Sequence, residues 1–140
     1  MYWQKSSKNE QKKEKYLKDK STFLLMKILL DTSFLLTAAK YKVDIFEKLK
    51  GHELVILDGV KRELETLIKT KKRGKLEARI VLELLKKNKV KIKKSKIKDV
   101  DDSLVAEKDA IATQDRELKK RLKNRKIITI RQKRLVKNVL

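Results

Sequence analysis

The residues of this chain that could do chemistry are acids. Asp31 ends the apolar run Ile28-Leu29-Leu30, and Asp115 closes a run through Ala110, Ile111, Ala112 and Thr113. Asp101 and Asp102 open the stretch DDSLVA, and Glu63 lies in the stretch VKREL. Apolar runs this short, flanked by charge, read as strands buried on both faces. That reading places Asp31, Asp101 with Asp102, and Asp115 at strand ends or helix starts on one edge of a parallel sheet, with Glu63 reaching in from a helix. Carboxylates held close repel one another, so such a cluster implies a cation. Hard oxygen ligands suit Mg²⁺ or Mn²⁺. The 40 lysines and arginines outnumber the 19 acids and give a formal net charge of +21. This excess implies a polyanion partner, with nucleic acid first and an anionic membrane surface second. A divalent ion beside a polyanion-binding surface suggests phosphodiester hydrolysis, with the metal activating water and stabilising the transferring phosphoryl group. A plainer account stands beside this one. Asp31, Asp58, Asp101 and Asp115 could each be a helix cap, since Asp is a favoured N-cap. Caps do not account for Glu63, although pairing with a neighbouring lysine would.

Composition excludes other chemistries. With no cysteine, disulfides, thiolate catalysis and Cys-type zinc sites are absent. The one histidine, His52, follows Gly51 and reads as a surface turn residue. Gly51, Gly59 and Gly74 form no phosphate-binding glycine loop, which argues against a dinucleotide enzyme. No apolar run reaches the ~18 residues of a membrane helix. The lysine-rich start lacks the apolar core of a secretory signal, so the cytoplasm is the expected location. Abundant Lys and Glu with scarce Gly lean toward a thermophile.

Residues 1–25 interleave lysines with Ser, Asn, Gln and Glu and hold few apolar residues, so they read as a poorly ordered basic extension in which Trp3 is incidental. The domain is expected to begin at Met26, with the extension arising from an upstream start. Thr32 or Ser33 is expected to cap a helix through Phe34, Leu35, Leu36 and Ala39. Val43, Phe46 and Leu49 recur at helical spacing, with Gly51 as the stop. Glu53–Leu57 reads as a second buried strand, and Asp58 as the cap of a helix through Val60, Leu64, Leu67 and Ile68. Leu76, Ile80, Val81, Leu84 and Leu85 mark another amphipathic helix, and Val90–Ile97 an edge strand guarded by lysines. Ala110–Thr113 and Ile127–Ile130 are the last strands, separated by a helix through Leu118 and Leu122. The domain would then span 26–134, with a basic tail at 135–140. Strands alternating with helices imply a parallel sheet covered on both faces. Only Ser103–Gln114 separate Asp102 from Asp115. A five-residue strand rises ~16 Å, and a helix from Asp101 to Lys108 spans only ~12 Å, so that crossover is tight.

LLDTSFLL at 29–36, VKREL at 60–64, VDDSLVA at 100–106 and IATQDREL at 111–118 resemble the PIN-domain family. VDIFEKL at 43–49 resembles the segment after the first helix in archaeal PIN proteins of the VapC and Fcf1-like kind. The resemblance covers Met26 to about Arg134. It implies a Rossmann-like α/β/α sandwich with a five-stranded parallel sheet of order 3-2-1-4-5. It also implies a Mg²⁺- or Mn²⁺-dependent endoribonuclease that forms a homodimer. Carried over residue by residue, the catalytic acids are Asp31, Glu63, Asp101 and Asp115. Asp31, Asp101 and Asp115 would bind metal, and Ser33, Asp102 and Thr113 would support them. Glu65 is the nearest rival to Glu63. PIN domains usually place a full helix and a turn between the third and fourth acids, which this chain shortens. Lys71, Lys72, Arg73, Arg116, Lys119 and Lys120 are the expected RNA contacts. The few aromatics imply recognition of backbone and shape rather than of bases. Within this reading the chain is either an rRNA- or RNA-processing enzyme with a ribosome-assembly partner, or a toxin with an antitoxin partner. The other reading is a PIN-like RNA-binding scaffold without activity.

Overall fold

The computed structural model describes residues 26–70, 73–95, 100–106, 109–122 and 125–139. The proposed extension at 1–25 lies outside them. The strands are β1 (Lys27–Leu30), β2 (Glu53–Leu57), β3 (Lys91–Lys93), β4 (Ala110–Ala112), β5 (Lys126–Arg131) and β6 (Arg134–Val139). The helices are α1 (Thr32–Lys40), α2 (Ile45–Lys48), α3 (Asp58–Lys69), α4 (Lys75–Lys87), α5 (Val100–Ala106) and α6 (Arg116–Arg121). The sheet order is β3-β2-β1-β4-β5-β6. The first five strands are parallel and carry the expected 3-2-1-4-5 order. The central strands are apolar without alternation because helices cover both faces. Ile28, Leu29, Leu30 and Ile111 are wholly buried, as are Phe34 of α1 and Val60 and Leu64 of α3.

The sixth strand is a correction. The segment read as a basic tail pairs antiparallel with β5, Ile130 opposite Leu135 and Arg131 opposite Arg134. The two-residue connection, Gln132-Lys133, has positive φ at both positions (50° and 62°), which suits the twist of a tight hairpin. Neither residue type signals such a turn, so the hairpin was hidden.

Two further differences have simple causes. Along α4 the buried residues are Ala78, Val81 and Leu85, whereas Leu76 is 65% exposed and Ile80 39%. The apolar stripe is wider than the face the sheet covers, and Ile80 and Leu84 instead line a groove of about 630 Å³ shared with α1 and α2. The tight crossover closes because the strand, not only the helix, is short. A three-residue β4 rises ~10 Å and a seven-residue α5 spans ~10 Å, so the two lengths match. The start of α5 also sits hard against α3. A Cβ added at Gly59 would lie 2.7 Å from Val100 Cγ2, so only glycine permits this approach.

Candidate functional site

Register brings the first acid to the end of β4. Leu30 lies opposite Ala112, and the ladder runs one bond further, from Asp31 N to the Ala112 carbonyl at 2.9 Å. Thr113 N extends the next ladder in the same way, donating to the Ile128 carbonyl at 3.0 Å. Asp31 and Thr113 therefore stand side by side at the carboxyl ends of β1 and β4, both buried.

The helix begins one residue earlier than expected. Asp31, not Thr32 or Ser33, is the N-cap of α1, and its Oδ1 accepts from Thr32 N at 2.9 Å. This releases both hydroxyls for other partners. Ser33 Oγ and Thr113 Oγ1 each donate to Asp31 Oδ2, at 3.0 and 2.7 Å. Each hydroxyl also accepts a backbone N–H from the turn after β4: Gln114 N on Ser33 at 3.1 Å, and Asp115 N on Thr113 at 3.1 Å. A hydroxyl with one proton and two lone pairs can serve in both roles at once. Ser33 and Thr113, expected as supporting residues, thus tie the carboxylate of Asp31 to the backbone that presents Asp115.

Asp115 caps α6, its Oδ1 accepting from Glu117 N at 2.9 Å and Leu118 N at 3.3 Å. Among the described residues its Oδ2 takes no hydrogen bond. Glu63 arrives from α3. Its neighbours Val60 and Leu64 turn into the core and leave it on the exposed margin, where Oε1 accepts from Thr32 Oγ1 at 2.8 Å. Three of the expected acids are thus tied to hydroxyls: Asp31 to those of Ser33 and Thr113, Asp115 by its backbone N–H to that of Thr113, and Glu63 to that of Thr32. Of the other two, Asp102 pairs with Arg121 of α6, while the side chain of Asp101 lies outside the description. Among the described residues no three acidic or imidazole side chains are gathered closely enough to hold an ion. Asp31 and Asp115 are nonetheless hard oxygen donors on adjacent strand ends, which is the ligand chemistry a Mg²⁺ or Mn²⁺ ion takes.

Asp58, expected as a cap, instead occupies the first position of α3. Its Oδ1 accepts from Ser95 N and Gly59 N, and its Oδ2 from Arg62. The Ser95 N–H first, and Arg62 after it, hold the Asp58 carboxyl below its usual range. Its role is to fasten the chain beyond β3 to the end of β2. Gln114 is the residue that sequence reasoning missed. Its amide donates to the Ile130 carbonyl at 2.9 Å and accepts from Ile130 N at 2.7 Å, continuing the ladder where β4 has ended. Its place beside Asp115 in TQD was the only signal.

The expected RNA contacts divide. Lys71 and Lys72 lie outside the described residues. Arg73 is exposed but lines a groove with Lys40, at the opposite end of α1 from Asp31, so it is not brought to the acids. Lys120 pairs with Glu117 at 3.5 Å. Arg116 is exposed beside Asp115. Lys119 is half-buried, and burial, then Arg131 and Arg116, push its ammonium below the ordinary lysine range, with Asp115 opposing them.

A family model described as a PIN-like domain matches residues 28–133, most of the chain. The chain belongs to the PIN-like domain family. Its sheet order and flanking helices are those of this fold. Among solved structures it is similar to the PIN domain endonuclease Utp24, at 25% identity and a TM-score of 0.69, over 81% of this chain and 92% of that one. A domain of a functionally unknown protein from Methanocaldococcus jannaschii DSM 2661 matches at 16% identity and a TM-score of 0.49, over 66% of this chain and 81% of that one. No curated protein matches the sequence significantly.

Proposed function

We propose that this PIN-like protein is a metal-dependent endoribonuclease that hydrolyses RNA phosphodiester bonds. The observation that carries the reading is the buried Asp31 carboxylate, oriented by three donors and linked through Thr113 and Thr32 to Asp115 and Glu63. Likeness to the PIN endonuclease Utp24 and the basic surface beside the acids support it. Asp31, Asp101 and Asp115 would hold the Mg²⁺ or Mn²⁺ ion. When bound, such an ion activates water and stabilises charge on the phosphoryl group and the leaving oxygen. Ser33 and Thr113 fix the rotamer of Asp31, and Thr32 positions Glu63, the exposed acid of the set, to accept a proton from water. Cations flanking the acids offset their repulsion of the phosphate backbone.

The Fcf1-like segment and the high basicity favour rRNA or RNA processing over a toxin role. A ribosome-assembly partner, a homodimer and a cytoplasmic location belong to the same proposal. No helix among the described residues is long and apolar enough to cross a membrane. The short segment between Asp102 and Asp115, together with the Asp102–Arg121 pair, favours a second reading, an inactive RNA-binding scaffold. A cleavage assay on structured RNA with Mn²⁺ or Mg²⁺ separates the two. Wild type is expected to cut, and Asp31→Asn or chelator to abolish cutting. If neither protein cuts while both bind RNA, the scaffold reading wins.

A further inference from the structure

The basic residues near the acids fall into two groups. Arg121, Lys120 and Arg125 are engaged, by Asp102, by Glu117 and by the carbonyls of Val105 and Asp109. Arg116, Arg131, Lys133 and Arg134 make no salt bridge among the described residues. These four and Lys119 share one location. Ile128 is level with Ala112 at the sheet edge, so β5 runs three residues beyond it, ~10 Å, before turning at Gln132-Lys133. The hairpin tip Arg131-Gln132-Lys133-Arg134 therefore projects from the same edge that bears Asp31 and Asp115. Its base is clamped to the site, because Gln114, next to Asp115, holds both backbone groups of Ile130, next to Arg131.

We infer that the β5–β6 hairpin and α6 form an RNA-backbone clamp, in which Arg116, Lys119, Arg131, Lys133 and Arg134 grip the phosphates flanking the bond at the acidic site. The partner class follows from the side chains. Arginines grip phosphate oxygens in bidentate fashion, and the tip has no aromatic on which a base could stack. The antiparallel sixth strand gives the arm its stiffness, since six residue pairs hold β6 to β5. The clamp deepens the proposed function by assigning the substrate arm of the same site, and it rests on that reading for its substrate.

The test keeps binding apart from cleavage. Affinity for a fluorescent single-stranded oligo-uridylate is titrated against salt in chelator, in the Asp31→Asn background, so no cutting is needed. Each phosphate contact to a single strand contributes about 0.7 to the slope of log affinity on log salt. The triple variant Arg131→Gln, Lys133→Gln, Arg134→Gln is expected to lower that slope by about 2. The pair Arg116→Gln, Lys119→Gln, which leaves the hairpin intact should the triple variant misfold, is expected to lower it by about 1.4. The control Lys48→Gln, Lys86→Gln, at exposed positions on α2 and α4, is expected to leave the slope in place. An unchanged slope in the folded clamp variants overturns the clamp, as does an equal loss in the control, which would reduce the effect to net charge. Failure of the nuclease reading appears separately, as absence of cleavage with the slopes behaving as expected.

Discussion

Replacing Thr113 by Val removes one oxygen and almost no volume, so it isolates what that hydroxyl does. Thr113 is wholly buried. Its Oγ1 donates to Asp31 Oδ2 at 2.7 Å and accepts from Asp115 N at 3.1 Å. A hydrogen bond to a charged group is worth about 1.5–3 kcal/mol, and a buried N–H left without its acceptor costs about 1–3 kcal/mol more. Asp31 keeps Thr32 N and Ser33 Oγ, which argues for the lower part of the first range. The new buried methyl returns ~1 kcal/mol. The net expectation is a loss of about 2–4 kcal/mol. Thr113→Ser removes only the methyl and should cost ~1 kcal/mol. Urea unfolding followed by circular dichroism reads both. With a slope of about 1–3 kcal/mol/M for a chain of this size, the Val variant should lower the midpoint by roughly 1–2 M with the slope unchanged. The reasoning is refuted if Val is as stable as Ser, because the hydroxyl would then contribute nothing that a methyl does not.

Two other substitutions probe the frame around the acids. Gln114→Leu should cost about 1–3 kcal/mol and speed hydrogen exchange at the Ile130 amide, which loses its acceptor; unchanged exchange there would show that the amide bridge is not holding β5. Gly59→Ala should cost about 1–3 kcal/mol by overpacking against Val100, and Val100→Ala in the same chain should recover most of it. A double-mutant cycle with no coupling would mean that α3 and α5 do not meet there.

Much of the site was legible before any coordinates. Asp31 and Asp115 end apolar runs bounded by charge, and such runs become central parallel strands because nothing else buries them on both faces. Both acids are also caps, so the plainer reading was correct as far as it went. Glu63 was preferred over Glu65 because Val60 and Leu64 define a buried face with Glu63 at its margin, and there it meets Thr32. The periodicity of α4 identified a helix yet misjudged its exposure, since a 3.6-residue repeat orders side chains around an axis without saying how wide a face the sheet will cover. The β5–β6 hairpin was missed because Gln132 and Lys133 adopt positive φ without the Asn or Gly that usually signals it.

By itself the sequence determined the strand and helix alternation, the 3-2-1-4-5 sheet expected from the family resemblance, and the placing of acids at strand ends. These follow from patterns a few residues long, which act wherever the chain goes. Only the tertiary structure decided which groups the acids meet. The bonds from Thr113 to Asp31, Thr32 to Glu63, Gln114 to Ile130 and Arg121 to Asp102 join residues 82, 31, 16 and 19 positions apart. The bonds of Thr113 and Gln114 depend on strand register, where a slip of one residue turns every side chain to the opposite face, and those of Thr32 and Arg121 on how the helices pack beside one another.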